Sequence, residues 1–192
     1  MGSYTTKSLT QEELSSLVNL IRRGYIDNEG HKHRQNDQLA TILTLQANLG
    51  CRIGDIVNMT VEHFEWDGQA WRLNFSEEKT KKKRLFIVPA PVKSYIDEYC
   101  HRYGITNGRL FTIGKQDVWK HLRAATAYLG LEEVSAHSFR KTAALRVYND
   151  SDKDIALTSS FLLHSSPTVT LRYLQRPSKQ MDEILSKSVA LI

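Results

Sequence analysis

The chain lacks several features that would assign it quickly to a class of protein. Only two of its 192 residues are cysteines, Cys51 and Cys100, and no CxxC spacing is present. Two cysteines are too few for the disulfide framework of a small secreted protein, so we predict reduced thiols and no zinc site. No hydrophobic run approaches the length of a membrane span, and the N-terminus has no apolar signal-peptide segment. We therefore expect no membrane partner and a cytoplasmic location.

The sequence also lacks a convincing metal-ligand set. His31 and His33 lie in a polar loop without further ligands nearby, and two such histidines are more often solvated. The segment 150–154 resembles the start of a calcium loop. However, Ile155 stands where glycine is needed, and Phe161 stands where a bidentate glutamate should be. We predict no metal and no other cofactor.

Composition places the chain among ordinary globular proteins. Hydrophobic residues make up 41% and charged residues 24% of the sequence, and there are no internal repeats. The length suits one domain, or one domain and a small appendage, with a substantial core. The net charge of +5 indicates an anionic partner only modestly, because many enzymes that bind no nucleic acid share it.

Hydrophobic periodicity predicts a mostly helical α+β fold. Residues 10–13 form a predicted capping box for the first helix, and a polar loop follows over 24–36. Further helices are predicted over 37–49, 91–103, 116–129, 134–148 and 153–162, with a last amphipathic helix after Ser178. In the helix 116–129, we expect Trp119 and Leu122 to face inward.

Three segments interrupt the helical pattern and predict a small antiparallel sheet, the first two with alternating polarity and the third as a short apolar run. They span 61–66, 70–75 and 85–88, and Asp67-Gly68 between the first two is a strong hairpin-turn signal. The second turn is rich in cations, namely Lys79, Lys81, Lys82, Lys83 and Arg84. Such a turn is either a solvated loop or a basic finger that lies on a phosphate backbone.

Arg52 stands where partial burial is expected, and Arg140 shares a helix face with a histidine. Arg52 follows the apolar helix 37–49 and precedes Ile53, so it needs a partner, and Asp55 is the nearest carboxylate. A simple ion pair would also explain this placement. Arg140 lies three residues after His137, so both side chains project from one face of a helix.

The segment 160–174 sets a histidine nine positions ahead of a tyrosine, with a break between them. His164 follows an apolar run, Pro167 suits the first turn of a new helix with Ser166 as its N-cap, and Tyr173 lies near the end of that helix. Taken alone, such a pair is more often a satisfied histidine and a half-buried tyrosine than a functional site.

Taken together, these motifs resemble the active site of the tyrosine recombinases, the phage-integrase family. The ordered set is Arg52, Lys79, His137, Arg140, His164 and Tyr173. The local context matches as well, in the boxes Leu49–Asp55, Lys79-Thr80, His137–Arg140 and Leu163–Tyr173. Two departures are Leu163, where glycine is usual, and Lys141, where a histidine often follows the arginine. Lys81 remains an alternative to Lys79 as the family's lysine.

The resemblance implies metal-independent cleavage and rejoining of DNA. Transfer of a phosphodiester to a protein hydroxyl passes through a phosphorane with extra negative charge, which the planar forks of Arg52 and Arg140 suit well. Asp55 is expected to orient Arg52. Lys81, Lys82, Lys83 and Arg84 are candidate contacts to the DNA backbone.

The resemblance also assigns proton-transfer and covalent roles. Tyr173 is the expected nucleophile, which forms a 3′-phosphotyrosyl link and leaves a 5′-hydroxyl. Lys79 would protonate that leaving oxygen, His137 would handle the tyrosine proton, and His164 would donate to a phosphate oxygen.

The same resemblance sets expectations for the organisation of the chain. Residues 1–8 are predicted to be a tag or linker remnant and residues 9–192 the catalytic domain, without the N-terminal core-binding domain of full-length members. The expected partners are double-stranded DNA at attachment or recombination sites and further copies of the chain, as a tetramer on DNA. The final helix is expected to dock within its own chain or on a neighbour. We expect a nucleoid-associated protein of a bacterium or phage.

Two alternatives stay open at this point. One is a type IB topoisomerase that relaxes supercoils with the same chemistry, and the other is a catalytically silent DNA-binding relative. The target sequence and the direction of the reaction cannot be read from these motifs, because base readout depends on groove geometry.

Overall fold

The structure, a computed structural model, describes residues 6–174 except for the side chain of Arg172. The chain divides into two compact units, Met1–Ala143 and Ala144–Ile192, and the boundary falls inside one helix. The helix predicted after Ser178 lies outside the described residues. Of the predicted remnant 1–8, residues 6–8 are described. The amide of Lys7 in this segment donates to the carbonyl of Glu133 over 3.0 Å.

The strands fall into two short antiparallel groups that are inserted between runs of helices, as the predicted α+β class requires. The helices are α1 (Gln11–Arg23), α2 (Asp37–Leu49), α3 (Ile53–Val57), α4 (Ala90–Tyr103), α5 (Lys115–Tyr128), α6 (Ala136–Asp150), α7 (Ile155–Leu162) and α8 (Pro167–Leu174). The strands are β1 (Tyr25–Ile26), β2 (Lys32–His33), β3 (Phe64–Trp66), β4 (Trp71–Ser76) and β5 (Lys83–Ile87). A 3-10 turn, Val61–His63, precedes β3.

The helix ends follow local sequence signals. The Thr10 hydroxyl accepts from the amide of Glu13, and the Glu13 carboxylate accepts from the amide of Thr10, so the predicted capping box is confirmed. Helix α2 ends at Gly50, whose φ of 62° lies in the left-handed region that glycine adopts without strain. Arg52 therefore lies two residues beyond Gly50, just after the end of α2.

The three-stranded sheet has the order β3-β4-β5 and is antiparallel throughout. Phe64 pairs with Leu73, and Leu73 pairs with Phe86, so these three side chains share the face that is turned to the core. One step along the same face, Phe75 pairs with Arg84. The predicted three-stranded sheet is confirmed. Its core-facing side also carries an arginine, Arg84.

The polar loop predicted over 24–36 contains a small hairpin that the sequence pattern did not indicate. Tyr25 pairs with His33 and Ile26 pairs with Lys32, and the rings of Tyr25 and His33 stack with centroids 4.3 Å apart. Both strands have only two residues, which is too short for an alternating pattern to show. Asp27 holds the turn, since its Oδ1 accepts from the amide of His31 and its Oδ2 lies 2.9 Å from His33 Nε2.

The core of the first unit lies between α1, α2, α4, α5 and the inner face of the sheet. Leu17, Leu43, Leu73, Ile96 and Leu122 are buried there. Within the described residues, no helix is both long enough and apolar enough to cross a bilayer.

The second unit contains a pair of short helices. Asp154 caps α7, because its Oδ1 accepts from the amide of Leu157 over 2.9 Å. The chain leaves α7 at Leu163, which adopts a φ of 52°, and re-enters a helix at Pro167. This junction holds His164 between α7 and α8.

Candidate active site

Arg52 and Glu77 form the centre of the predicted site in the first unit. Arg52 is the residue before α3, in an extended conformation with ψ of 150°. Its Nη1 donates to Oε2 of Glu77, a residue just after β4 that is completely buried. Arg52 itself retains 25% exposure of its side chain. One face of this arginine is therefore fixed to the protein while part of it stays accessible.

Glu77 is not among the residues that the sequence motifs predict for the site. Its Oε2 also accepts from the Thr80 hydroxyl over 2.6 Å, and its Oε1 accepts from Nη2 of Arg84 over 3.2 Å. Burial raises the pKa of Glu77, but the Thr80 hydroxyl and the positive charges of Arg52 and Arg84 outweigh it, so the net shift is downward. The sequence does contain a signal for Glu77. Side chains alternate along β4, so Glu77, two residues after the inward Phe75, falls on the same inward face.

Arg140 reaches the same carboxylate from α6. Its side chain is almost completely buried, and its Nη1 donates to the carbonyl of Gly50 over 2.7 Å. The same nitrogen lies 3.9 Å from Oε1 of Glu77. Two arginines that are distant in sequence thus meet on opposite oxygens of one buried carboxylate.

Arg84 requires a correction, because it is not available to contact DNA. It lies on β5 with its side chain fully buried, and its Nη1 donates to the carbonyl of Leu49 over 3.3 Å. The alternation of the strand turns Arg84 inward, opposite Phe75, whereas Lys83 before it is exposed. Arg84 is a third guanidinium of the buried cluster around Glu77.

Asp55 also differs from the expectation. Among the described residues, the carboxylate that pairs with Arg52 belongs to Glu77, so the predicted Arg52–Asp55 ion pair is wrong. Oδ1 of Asp55 instead accepts from the amide of Glu78 over 2.9 Å. Desolvation raises the pKa of Asp55 despite that hydrogen bond. Asp55 thereby ties α3 to the turn between β4 and β5.

His137 lies at the exposed start of α6, one turn before Arg140. Desolvation, together with the positive charges of Arg140, Lys141 and Arg52, lowers the pKa of His137. A neutral imidazole near two arginines can accept a proton at physiological pH.

The four lysines of the predicted basic finger lie on the turn after Glu77 and at the start of β5. Lys79, Lys81, Lys82 and Lys83 are all exposed. The amide of Lys81 donates to the carbonyl of Glu77 over 2.9 Å, so the turn is anchored beside the arginine cluster. Both candidates for the family's lysine, Lys79 and Lys81, therefore share one exposed turn.

His164 and Tyr173 lie together in the second unit. Their rings meet edge to face, with centroids 5.4 Å apart, and both residues are half-buried. Nδ1 of His164 lies 2.8 Å from the hydroxyl of Thr170, which is fully buried in α8. This contact fixes the plane of the imidazole relative to the helix that carries Tyr173.

Cys51 precedes Arg52 directly. The thiol is fully buried, and this burial raises its pKa to about 11 despite the nearby charges of Arg84 and Arg140. Cys51 is thus a buried small side chain without nucleophilic character at neutral pH.

A comparison with protein families confirms the family that the sequence resembles. The model of the phage integrase family matches residues 7–180, which is most of the chain. The chain belongs to this family. The match includes every residue of the predicted set, from Arg52 to Tyr173.

Individual relatives within the family carry recombinase names. The chain is 35% identical over 134 residues to the probable integrase/recombinase YoeC of Bacillus subtilis, an alignment that covers 66% of this chain and 71% of YoeC. It is 25% identical over 194 residues to the tyrosine recombinase XerC of Caldanaerobacter subterraneus, covering 94% of this chain. The alignment spans only 50% of that XerC.

Solved structures support the fold. The XerH recombinase, in a post-cleavage complex with a palindromic difH substrate, superposes with a TM-score of 0.71 at 17% identity. That match covers 97% of this chain but 54% of the XerH chain. The first unit and the second unit thus contain the elements of a phage-integrase catalytic fold, and the chain spans about half the length of XerH.

Proposed function

We propose that the chain is the catalytic part of a site-specific DNA recombinase that cleaves and rejoins strands through Tyr173. The observation that carries this proposal is the pair of arginines, Arg52 and Arg140, assembled on one buried carboxylate in a member of the phage integrase family. Two fixed guanidiniums match the charge and shape of a phosphodiester whose negative charge grows in the transition state.

In the proposed cleavage step, the side chains of the protein supply and accept every proton that moves, so no external cofactor is needed. The Tyr173 oxygen forms a bond to phosphorus while the bond from phosphorus to the 5′-oxygen breaks. The phenolic proton passes to His137, and a proton from Lys79 passes to the departing 5′-oxygen. His164 donates a hydrogen bond to a phosphate oxygen. Rejoining reverses each transfer, and the phosphotyrosyl link stores the energy of the broken bond.

Lys79 is the proposed acid, with Lys81 as the alternative on the same turn. The two are distinguished with a substrate whose 5′-bridging oxygen is replaced by sulfur, because a thiolate leaves without protonation. We expect this substrate to restore adduct formation to Lys79→Ala. If Lys81→Ala is the variant that the sulfur substrate restores, the roles are exchanged.

The proposed partners are double-stranded DNA and further copies of the chain. The XerH structure contains its difH substrate, and a lambda integrase structure shows a dimer bound to a core site. We propose binding to a recombination site in the nucleoid and assembly into a tetramer on two duplexes. Mass photometry of the chain on such duplexes measures the stoichiometry, and an exclusively monomeric complex would contradict the tetramer.

The two alternative functions gain no support from the family relatives. YoeC and XerC are named as recombinases and not as topoisomerases. A strand-transfer assay beside a supercoil-relaxation assay separates recombination from relaxation.

Covalent trapping on a nicked duplex tests the proposed function directly. A nick beside the scissile phosphate lets the short leaving strand diffuse away, so the covalent complex accumulates and resists SDS. We expect adducts on duplexes that carry candidate attachment sites. Tyr173→Phe should abolish the adduct and leave DNA affinity within about threefold, because only the nucleophile is removed. An adduct formed by Tyr173→Phe means that another residue is the nucleophile.

A further inference from the structure

Three guanidiniums around one carboxylate require an explanation beyond simple packing. Arg84 and Arg140 are almost completely buried, and Arg52 is three-quarters buried. Isolated buried charges are strongly unfavourable, so a cluster of three persists only when an ionised partner lies within it. Glu77 is that partner, with both oxygens engaged.

The two oxygens of Glu77 are divided between the two arginines of the proposed chemistry. Oε2 accepts from Arg52 and from the Thr80 hydroxyl, while Oε1 accepts from Arg84 and faces Arg140 at 3.9 Å. Because a carboxylate is planar, fixing one oxygen also fixes the direction of the other. Glu77 therefore links Arg52 to Arg140, and the carbonyl of Gly50 also holds Arg140.

Glu77 is also linked to the turn that carries the proposed acid. Thr80, which donates to Oε2, follows Lys79 directly, and the backbone of Glu77 bonds to the amide of Lys81 and to the carbonyl of Lys82. The neighbouring Glu78 has a different environment, since its exposed carboxylate pairs with Lys115 over 3.0 Å. Two adjacent glutamates thus offer a natural comparison.

We propose that Glu77 is the positioning residue of the active site, which holds Arg52 in the orientation needed to receive the scissile phosphate. It acts through the guanidinium and touches neither DNA nor the reacting atoms, since it is completely buried. The inference deepens the proposed function and rests on it. The three guanidiniums outnumber the two carboxylates near them, Glu77 and Asp55, so the cluster keeps an excess of positive charge, which is what an anion-binding site requires.

The test is a double-mutant cycle on adduct formation at saturating nicked duplex. Glu77→Gln keeps the shape and an acceptor oxygen but removes the charge, and we expect a loss of about 10- to 100-fold in rate with DNA affinity changed less than threefold. In an Arg52→Ala background, the same substitution should cost no more than about twofold, because the group through which it acts is gone. In a Lys79→Ala background, the losses should multiply.

Two controls separate positioning from general stability. Glu78→Gln makes the same charge change one residue along and should leave the rate of adduct formation unchanged. Thr80→Val removes one hydrogen bond to Oε2 and should give a smaller loss that also vanishes in Arg52→Ala, so the cycle remains informative if Glu77→Gln does not fold. Losses that multiply in the Arg52→Ala background would overturn the proposal, because a merely structural residue behaves in that way.

A readout without catalysis distinguishes this inference from the proposed function. In ¹⁵N-arginine NMR spectra of the full chain, the side-chain resonance of Arg52 should indicate an ordered guanidinium in the wild type and in Glu78→Gln, and a mobile one in Glu77→Gln. An Arg52 signal that is unchanged in Glu77→Gln overturns the positioning role. A wild-type chain that forms no adduct but shows the ordered signal overturns the proposed function alone.

Discussion

Lys83 and Arg84 are neighbours in the sequence, yet the structure gives them opposite environments. Lys83 is exposed at the start of β5, whereas Arg84 is fully buried against Glu77. Composition and charge predict a basic turn. Which cation faces solvent is decided by the strand, whose successive side chains point to opposite faces. For the same reason, Glu77 and Glu78 could not be told apart by residue type, although the alternation that continues from Phe75 identifies the inward one.

A pH dependence follows from the lowered pKa of His137. Above that pKa the ring is neutral and can accept the phenolic proton, so the rate should fall as the pH drops through a midpoint below 6.5, the ordinary value for histidine. The measurement is the second-order rate of adduct formation at subsaturating DNA, which reports on the free protein. His137→Asn should be slower and lack this acid limb, while His121→Asn on α5 should retain it. An unchanged limb in His137→Asn would contradict the assignment.

Among the elements, helices and strands of ordinary length were predicted well, and short or exposed ones were not. The helices α1, α2 and α4 begin and end close to the predicted positions, because caps and glycine stops are local signals. The inward orientation predicted for Trp119 is wrong, since this residue of α5 is 60% exposed and Val118 is buried instead. Because Val118 and Trp119 are adjacent and both hydrophobic, the sequence pattern does not decide which of them faces the core. Tertiary contacts decide it.

The end of α1 offers a prediction about backbone geometry. Gly24 has a φ of 76°, and a Cβ there would lie 2.7 Å from the carbonyl oxygen of His33 and 2.8 Å from the amide nitrogen of Gln35. Gly24→Ala should therefore lower the free energy of unfolding by about 3 kcal/mol, from backbone strain plus collision with main-chain atoms. Gly30→Ala is the matched control, with a φ of 84° and no atom within 4 Å. We expect it to cost only about 1 kcal/mol. Urea unfolding followed by circular dichroism measures both, and equal losses would argue against the close approach.

At the scale of the whole molecule, the motifs name candidate residues and their order but do not predict the contacts that join them. The sequence motifs predict Arg52 and Arg140 in one site, and the structure joins them through Glu77. The joining residue was not predicted, because its role depends on contacts between segments that are distant in the chain. The modest net charge of +5 likewise does not locate the basic surface, which the exposed lysines after β4 supply.

The lysine turn predicts how DNA binding depends on salt. The slope of log K against log salt concentration should become shallower by about 0.9 for each DNA phosphate that the turn no longer neutralises. Substituting Lys81, Lys82 and Lys83 together by glutamine should therefore lower the slope by up to about three such steps, as measured by fluorescence anisotropy. Arg102→Gln is the control. Arg102 bonds to Asp37 at the start of α2, at the opposite end of that helix from Arg52, and should leave the slope unchanged. Equal slopes in all three proteins would exclude the turn from the DNA interface.

Burial of Cys51 beside Arg52 gives the chain an internal reporter. A thiol with a pKa of about 11 and no accessible surface reacts with alkylating reagents only when the surrounding structure opens. The half-buried Cys100 lies at a different place, on α4, and offers a separate probe in the same molecule. The labelling rate of Cys51 therefore measures how often the segment before Arg52 unfolds locally. DNA that stabilises this segment should slow that labelling.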